Sequence, residues 1–138
     1  MATLTAVKYY CFPEDLAHGV HNLGSDVLKM ALTNTAPTVA TDDEFVDISE
    51  ISAGDGYIAG GETVTIASSS QSSGTYSLVG SGTVGWTSTG TIGPFHYIAF
   101  YNSSAANDEL ICNYDCGPIT LNNGDSYTLD VATTLLQW

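Results

Sequence analysis

Apolar and polar residues alternate along most of this chain, and turn-forming residues interrupt the alternation every eight to twelve positions. A period of two puts successive side chains on opposite faces of a strand. Leu4–Phe12 reads as a first strand closed by Pro13, and Asp26–Thr33 as a second. In the second, Leu28, Met30 and Leu32 share one face and Lys29, Ala31 and Thr33 the other. Further strands are expected at Glu62–Ser68, Gly74–Val79, Thr83–Thr87, Phe95–Tyr101, Leu110–Asp115, Pro118–Leu121, Ser126–Val131 and Leu135–Trp138. Phe95, Tyr97 and Tyr101 read as one face of their strand, with Ile98 and Phe100 on the other. A strand apolar on both faces is central or meets a partner. Asn122-Asn123-Gly124-Asp125 is the strongest hairpin signal, because Asn and Gly accept positive φ. Only Glu14–Asn22 has room for a helical turn, limited by Gly19 and Gly24.

The predicted fold is all-β: a single β-sandwich, jelly-roll-like or Greek-key, of eight to nine short strands. A chain of 138 residues fits one domain spanning 1–138. The exception to the rhythm is 34–61, a long acidic loop region. Seven acids lie between Asp42 and Glu62. Loops of this length are uncommon in compact domains unless they have a task. Phe45-Val46, Ile48 and Ile51 are the residues expected to pin it to the body.

Charge removes several function classes. The formal net charge is −13, and no Lys or Arg follows Lys29. Nucleic-acid grooves and arginine clamps on phosphates need fixed cations. Neither nucleic acid nor an anionic membrane is an expected partner. The N-terminus lacks the basic and apolar regions of a signal peptide, and no run is long enough to span a membrane. Synthesis in a reducing cytoplasm is the expectation, and three cysteines, an odd number, make no disulfide framework.

No catalytic, cofactor or metal residues are assigned. The acidic run Asp42-Asp43-Glu44 lacks a calcium-loop signature and reads as a solvated loop. His18 and His21 have a ligand-like spacing. Cys112 and Cys116, however, would lie roughly 13 Å apart in a strand, too far for one zinc or a disulfide without a turn between them. No nucleophile-elbow motif is present, and scattered Ser, His and Asp define no triad. The chain is therefore not expected to be an enzyme. Tyr9, Tyr10, Tyr57, Tyr97 and Tyr114 have the character of sugar-stacking or interface residues if exposed.

Five stretches carry a resemblance: His18–Pro37, Ile48–Tyr57, Gly93–Asn102, Asn107–Ile111 and Ile119–Leu129. In order along the chain, they resemble segments of small tailed-bacteriophage virion proteins of the capsid cement or decoration type. The resemblance implies a β-sandwich that binds the outer surface of the phage head, stabilises the shell and has the major capsid protein as partner. It also implies a homo-oligomer, a dimer or trimer, and a virion location. Similar segments occur in tail-associated virion proteins, and a carbohydrate-binding module is a further alternative. The resemblance brings no site residues with it. The expected contact residues come from the chain itself. Val7, Lys8, Tyr9, Tyr10 and Phe12 lie in the segment Met1–Phe12, which joins an apolar strand to one of two cations; Tyr97 and Phe100 lie in the aromatic strand.

Fifteen acids against two basic residues repel one another most when salt is absent. The melting temperature should therefore be lower in salt-free buffer than at about 0.15 M salt. A thermal melt that does not respond to salt would remove self-repulsion as a factor.

Overall fold

The structure is a computed structural model and describes residues 4–138. Those residues form ten strands, more than the eight to nine expected, and one short α-helix that packs against β8. After β1 (Ala6–Lys8) the chain turns at once into α1 (Cys11–Ala17). The strand expected to run to Phe12 therefore stops four residues early. Pro13 does not end a strand. It sits in the first helical turn, where its missing N–H has no partner to lose. Then follow β2 (Leu28–Thr33), β3 (Glu62–Val64), β4 (Ile66–Ser72), β5 (Thr75–Gly80) and β6 (Thr83–Thr87). The last four are β7 (Thr91–Asn102), β8 (Leu110–Asn122), β9 (Ser126–Asp130) and β10 (Thr134–Gln137).

A five-stranded sheet has the order β1-β8-β7-β2-β3, a second sheet β10-β5-β4, and a third β6-β9. All pairs are antiparallel. The pairing is nested: β7 with β8, outside them β6 with β9, and outside those β5 with β10. A long hairpin rolled up on itself pairs in this way, as in a jelly roll.

Two details depart from the local reading. Asn122–Asp125 does form a tight turn, closed by Asp125 N–H donating to the Asn122 carbonyl at 2.9 Å. It is not a hairpin, because β8 and β9 go to different sheets. Ser88, between β6 and β7, instead exchanges backbone hydrogen bonds with Gly124 and Asp125, tying the two connections together. The real two-residue hairpin is Ser73-Gly74, with φ of 52° and 82°, the positive pair that a type I′ turn requires.

The second departure is that Leu110–Asp115 and Pro118–Leu121 are one strand of 13 residues. Its register slips opposite β7 between Phe95 and Tyr97. Such an irregularity admits Pro118, which has no ladder N–H to give. It also breaks the alternation, so Phe95 joins Ile98 and Phe100 in the same core instead of facing away from them.

Two apolar clusters lie on the two faces of the five-stranded sheet. The larger holds Leu28, Met30, Leu32, Ile98 and Phe100, packed with Leu78, Val84, Trp86, Leu129, Leu135 and Leu136 of the other sheets. The smaller holds Ala31, Ala99, Tyr101 and Leu110 with Tyr9 and Ile48, and Val39 and Phe45 pack against it. The split of β2 into two faces is as the alternation predicted. The cover of the second face is the acidic loop region itself.

Hydrogen bonds hold that loop down. Leu32 N–H donates to the Tyr57 hydroxyl at 3.0 Å, which in turn donates to Glu50 Oε1 at 2.7 Å. Glu50 Oε1 also accepts Gly60 N–H at 2.6 Å, and Tyr101 donates to the Gly60 carbonyl at 2.6 Å. The Phe45 ring packs on Tyr101 with centroids 4.4 Å apart. Gly61, at φ 78°, passes so close to β2 that a Cβ would sit 1.9 Å from the Met30 carbonyl oxygen. Only glycine fits there. Of the residues expected to pin the loop, Ile48 is buried and Phe45 and Ile51 are half-buried, whereas Val46 is 79% exposed. Phe45–Ile48 forms one 3-10 turn, which points its neighbouring side chains in different directions.

Tyr57→Phe removes the acceptor of a buried N–H and the donor to Glu50. It should cost about 1–3 kcal/mol in denaturant unfolding. A loss below about 0.5 kcal/mol would mean that the loop is held by packing alone.

Candidate functional site

The expected contact residues separate by burial. Val7 is 50% and Tyr10 70% exposed, and Lys8 is exposed between them in sequence. Tyr9, Phe12 and Phe100 are buried, Tyr9 in the smaller cluster and Phe12 and Phe100 in the larger. Strand alternation turns Tyr9 inward, and the helical turn that follows turns Phe12 inward. Tyr97 is half-buried on β7, its ring stacked on His96 at 4.4 Å. Of the tyrosines read as exposed, Tyr57 and Tyr114 are also core residues. Residues 1–3 of the expected contact segment lie outside the described residues.

Val7, Lys8 and Tyr10 thus remain exposed, the first two on the edge strand β1 of the five-stranded sheet and Tyr10 just after it. The two lysines do not share it. Lys29 is on β2, three positions across the sheet from β1, and its Nζ approaches Gly60 of the acidic loop. The two cations are therefore on different parts of the surface, one of them beside the acidic loop.

Beside Lys8 the surface is concave. Lys8, Phe12, Pro13, Leu16, Ala17 and Trp138 line a mostly apolar groove of about 360 Å³. Leu16 and Trp138 also border a larger open groove of about 700 Å³, whose other walls include His21, Asn22, Gly24, Ser69 and Tyr76. Sequence reasoning placed Trp138 in a final strand and gave it no role. Its 47% exposure depends on where β10 and α1 meet, which no local pattern encodes.

A polar network backs the larger groove. The Ser104 N–H donates to Asn102 Oδ1 at 2.9 Å, which fixes the orientation of that amide. Asn102 Nδ2 then donates to Asp26 Oδ2 at 2.7 Å and to His21 Nδ1 at 3.0 Å. His21 is the acceptor at Nδ1, so its proton is on Nε2, which has no partner among the described residues. Burial pushes the His21 pKa down, against the opposing pull of Asp15, Glu109 and Asp26.

The cysteines are far from nucleophilic. Burial pushes Cys11 and Cys112 up to about 12 and Cys116 up to about 11. Thiols with such values remain protonated at neutral pH. Cys112 and Cys116 share β8, and all three thiols are free. Among the described residues, no three His, Cys, Asp or Glu side chains converge as a metal site, and no helix is long and apolar enough to cross a membrane.

The acids have another use. Asp47 Oδ2 accepts the N–H groups of Asp43 and Glu44, and Asp42 Oδ2 that of Thr38. Asp55, Asp125 and Asp130 each accept a backbone N–H in a connection or at a strand end, and Asp115 accepts that of Gly117 within β8, where the pairing with β7 is irregular. These bonds hold the Asp47 carboxyl below the usual range. The run read as a simple solvated loop is in part a set of backbone caps.

No protein-family model, curated protein or solved structure matches this chain.

His21 is buried neutral, so the unfolded chain takes up its proton first as the pH falls below about 6.5. Its contribution to stability is present above that pH and is lost on acidification. Asp15, whose carboxyl is raised mainly by burial and lowered by His21, acts in the opposite sense, and His21→Gln removes that lowering, which adds to the difference in the same direction. Wild type should therefore lose more stability than His21→Gln between pH 7 and pH 5. Parallel losses in the two proteins would show that His21 does not titrate in this range.

Proposed function

We propose that this chain is a structural protein of a tailed-phage virion, a cement protein that binds the outer surface of the head and stabilises the shell. The major capsid protein is its partner, and copies associate as a dimer or trimer. The observation that carries this reading is the surface at the β1 end of the sheet. Val7 and Tyr10, on either side of Lys8 in sequence, are exposed at this edge, and Lys8 itself lines a mostly apolar groove that reaches Trp138. Apolar area with a charged margin is the composition of a protein-docking surface.

The resembling segments support the same role. They include β2, most of β7, the two ends of β8, most of β9 and part of the loop that covers the sheet. An acidic surface suits the outside of a shell whose interior holds DNA. No catalytic role is part of the proposal.

Quantitative mass spectrometry of purified particles tests it. Hundreds of copies per particle are expected, and Tyr10→Ala or Lys8→Glu should lower that occupancy without lowering the melting temperature of the free protein. A handful of copies would move the protein to the tail, and absence from particles would end the virion reading.

A further inference from the structure

The larger groove has the character of a site for a small polar ligand. Its volume of about 700 Å³ lies in the range of such sites. One wall is an aromatic pair held from the backbone. Tyr76 N–H donates to the Trp138 carbonyl at 2.8 Å, and Trp138 N–H returns a bond to Tyr76 at 3.2 Å. This pairing sets the two rings side by side, with centroids 4.8 Å apart and a 44° tilt. Phe12 braces Trp138 edge-on at 5.7 Å. The indole is therefore oriented by three contacts while nearly half of it is open to solvent.

The other walls carry hydrogen-bonding groups without fixed charge. The Ser69 hydroxyl pairs with the Tyr76 hydroxyl at 2.7 Å. Asn22 Oδ1 and Ser69 Oγ both lie 3.6 Å from the place where a Cβ on Gly24 would be, so they converge on one point of the wall. His21, 7% exposed, lines the same groove, and its Nε2–H, closed to solvent, has no acceptor among the described residues. A buried donor without an acceptor is costly and uncommon, which sets this wall apart from the rest of the fold.

An aromatic plate beside neutral hydroxyl, amide and imidazole groups matches one ligand chemistry well. A sugar ring has an apolar C–H face to lie on an indole and a rim of hydroxyls that both donate and accept. The net charge of −13 disfavours sialylated or uronic-acid glycans. We infer that the groove between Trp138, Tyr76, Ser69 and His21 binds a neutral oligosaccharide. This inference does not depend on the virion proposal, since it concerns the groove and not the β1 surface.

The full chain is titrated with neutral oligosaccharides of glucose, galactose and N-acetylglucosamine, on an array and by tryptophan fluorescence. Trp86 is buried, so an emission change on binding reports Trp138. At least one neutral glycan should bind and shift the emission. Trp138→Ala should weaken binding about tenfold or more, while Trp138→Tyr, which keeps an aromatic plate, stays within about threefold of wild type. Ser69→Ala removes one hydroxyl and should weaken binding by a few fold, which keeps the test open if Trp138→Ala does not fold. No binding by any neutral glycan, or binding unchanged in both Trp138→Tyr and Ser69→Ala and also in a folded Trp138→Ala, would overturn the inference.

Discussion

The five-stranded sheet is apolar on both faces, and both must be covered. The sandwich covers one face with strands of the other two sheets. The other is covered by a segment with almost no regular structure. Irregular chain on a sheet leaves backbone N–H groups without ladder partners, a cost that must be met group by group. Tyr57, Glu50 and Tyr101 meet part of it. Through one hydroxyl, one carboxylate oxygen and a second hydroxyl they join β2, the loop and β7. The long loop is thus a structural layer, and the sheet's hydrophobicity explains its presence.

The same need gives the acids a structural purpose. With two basic residues in the chain, carboxylates have few cations to pair with. Many find backbone N–H groups instead, in the loop and at strand ends. A carboxylate accepts two such bonds readily, as Asp47 does, and its charge strengthens each of them. An acidic composition and a wealth of irregular connections therefore go together here. They leave a surface that repels its own kind at long range while its grooves stay nearly free of charge.

Those grooves lie where α1 and the end of the chain come together. Trp138 belongs to both of them, and Phe12 behind it links the indole to the main core. The proposed protein-docking surface and the inferred sugar site are therefore neighbours that share Leu16 and Trp138. A partner seated over Lys8 and Trp138 would alter access to the larger groove.

The all-β class, the two faces of β2 and the centrality of the aromatic strand were legible from alternation, because a half-buried strand must alternate and a doubly buried one cannot stay polar. The turn at Asn122–Asp125 was marked by residues that tolerate its backbone. Which strands that turn would pair was not marked. Pairing is decided by which apolar faces meet, and this sent β9 to β6 and not to β8. Burial of Tyr9, Phe12, Tyr57 and Phe100, against exposure of Tyr10 and Trp138, was likewise undecided until distant segments packed. A side chain's local period says which way it points. Only the tertiary structure says whether anything is there to cover it.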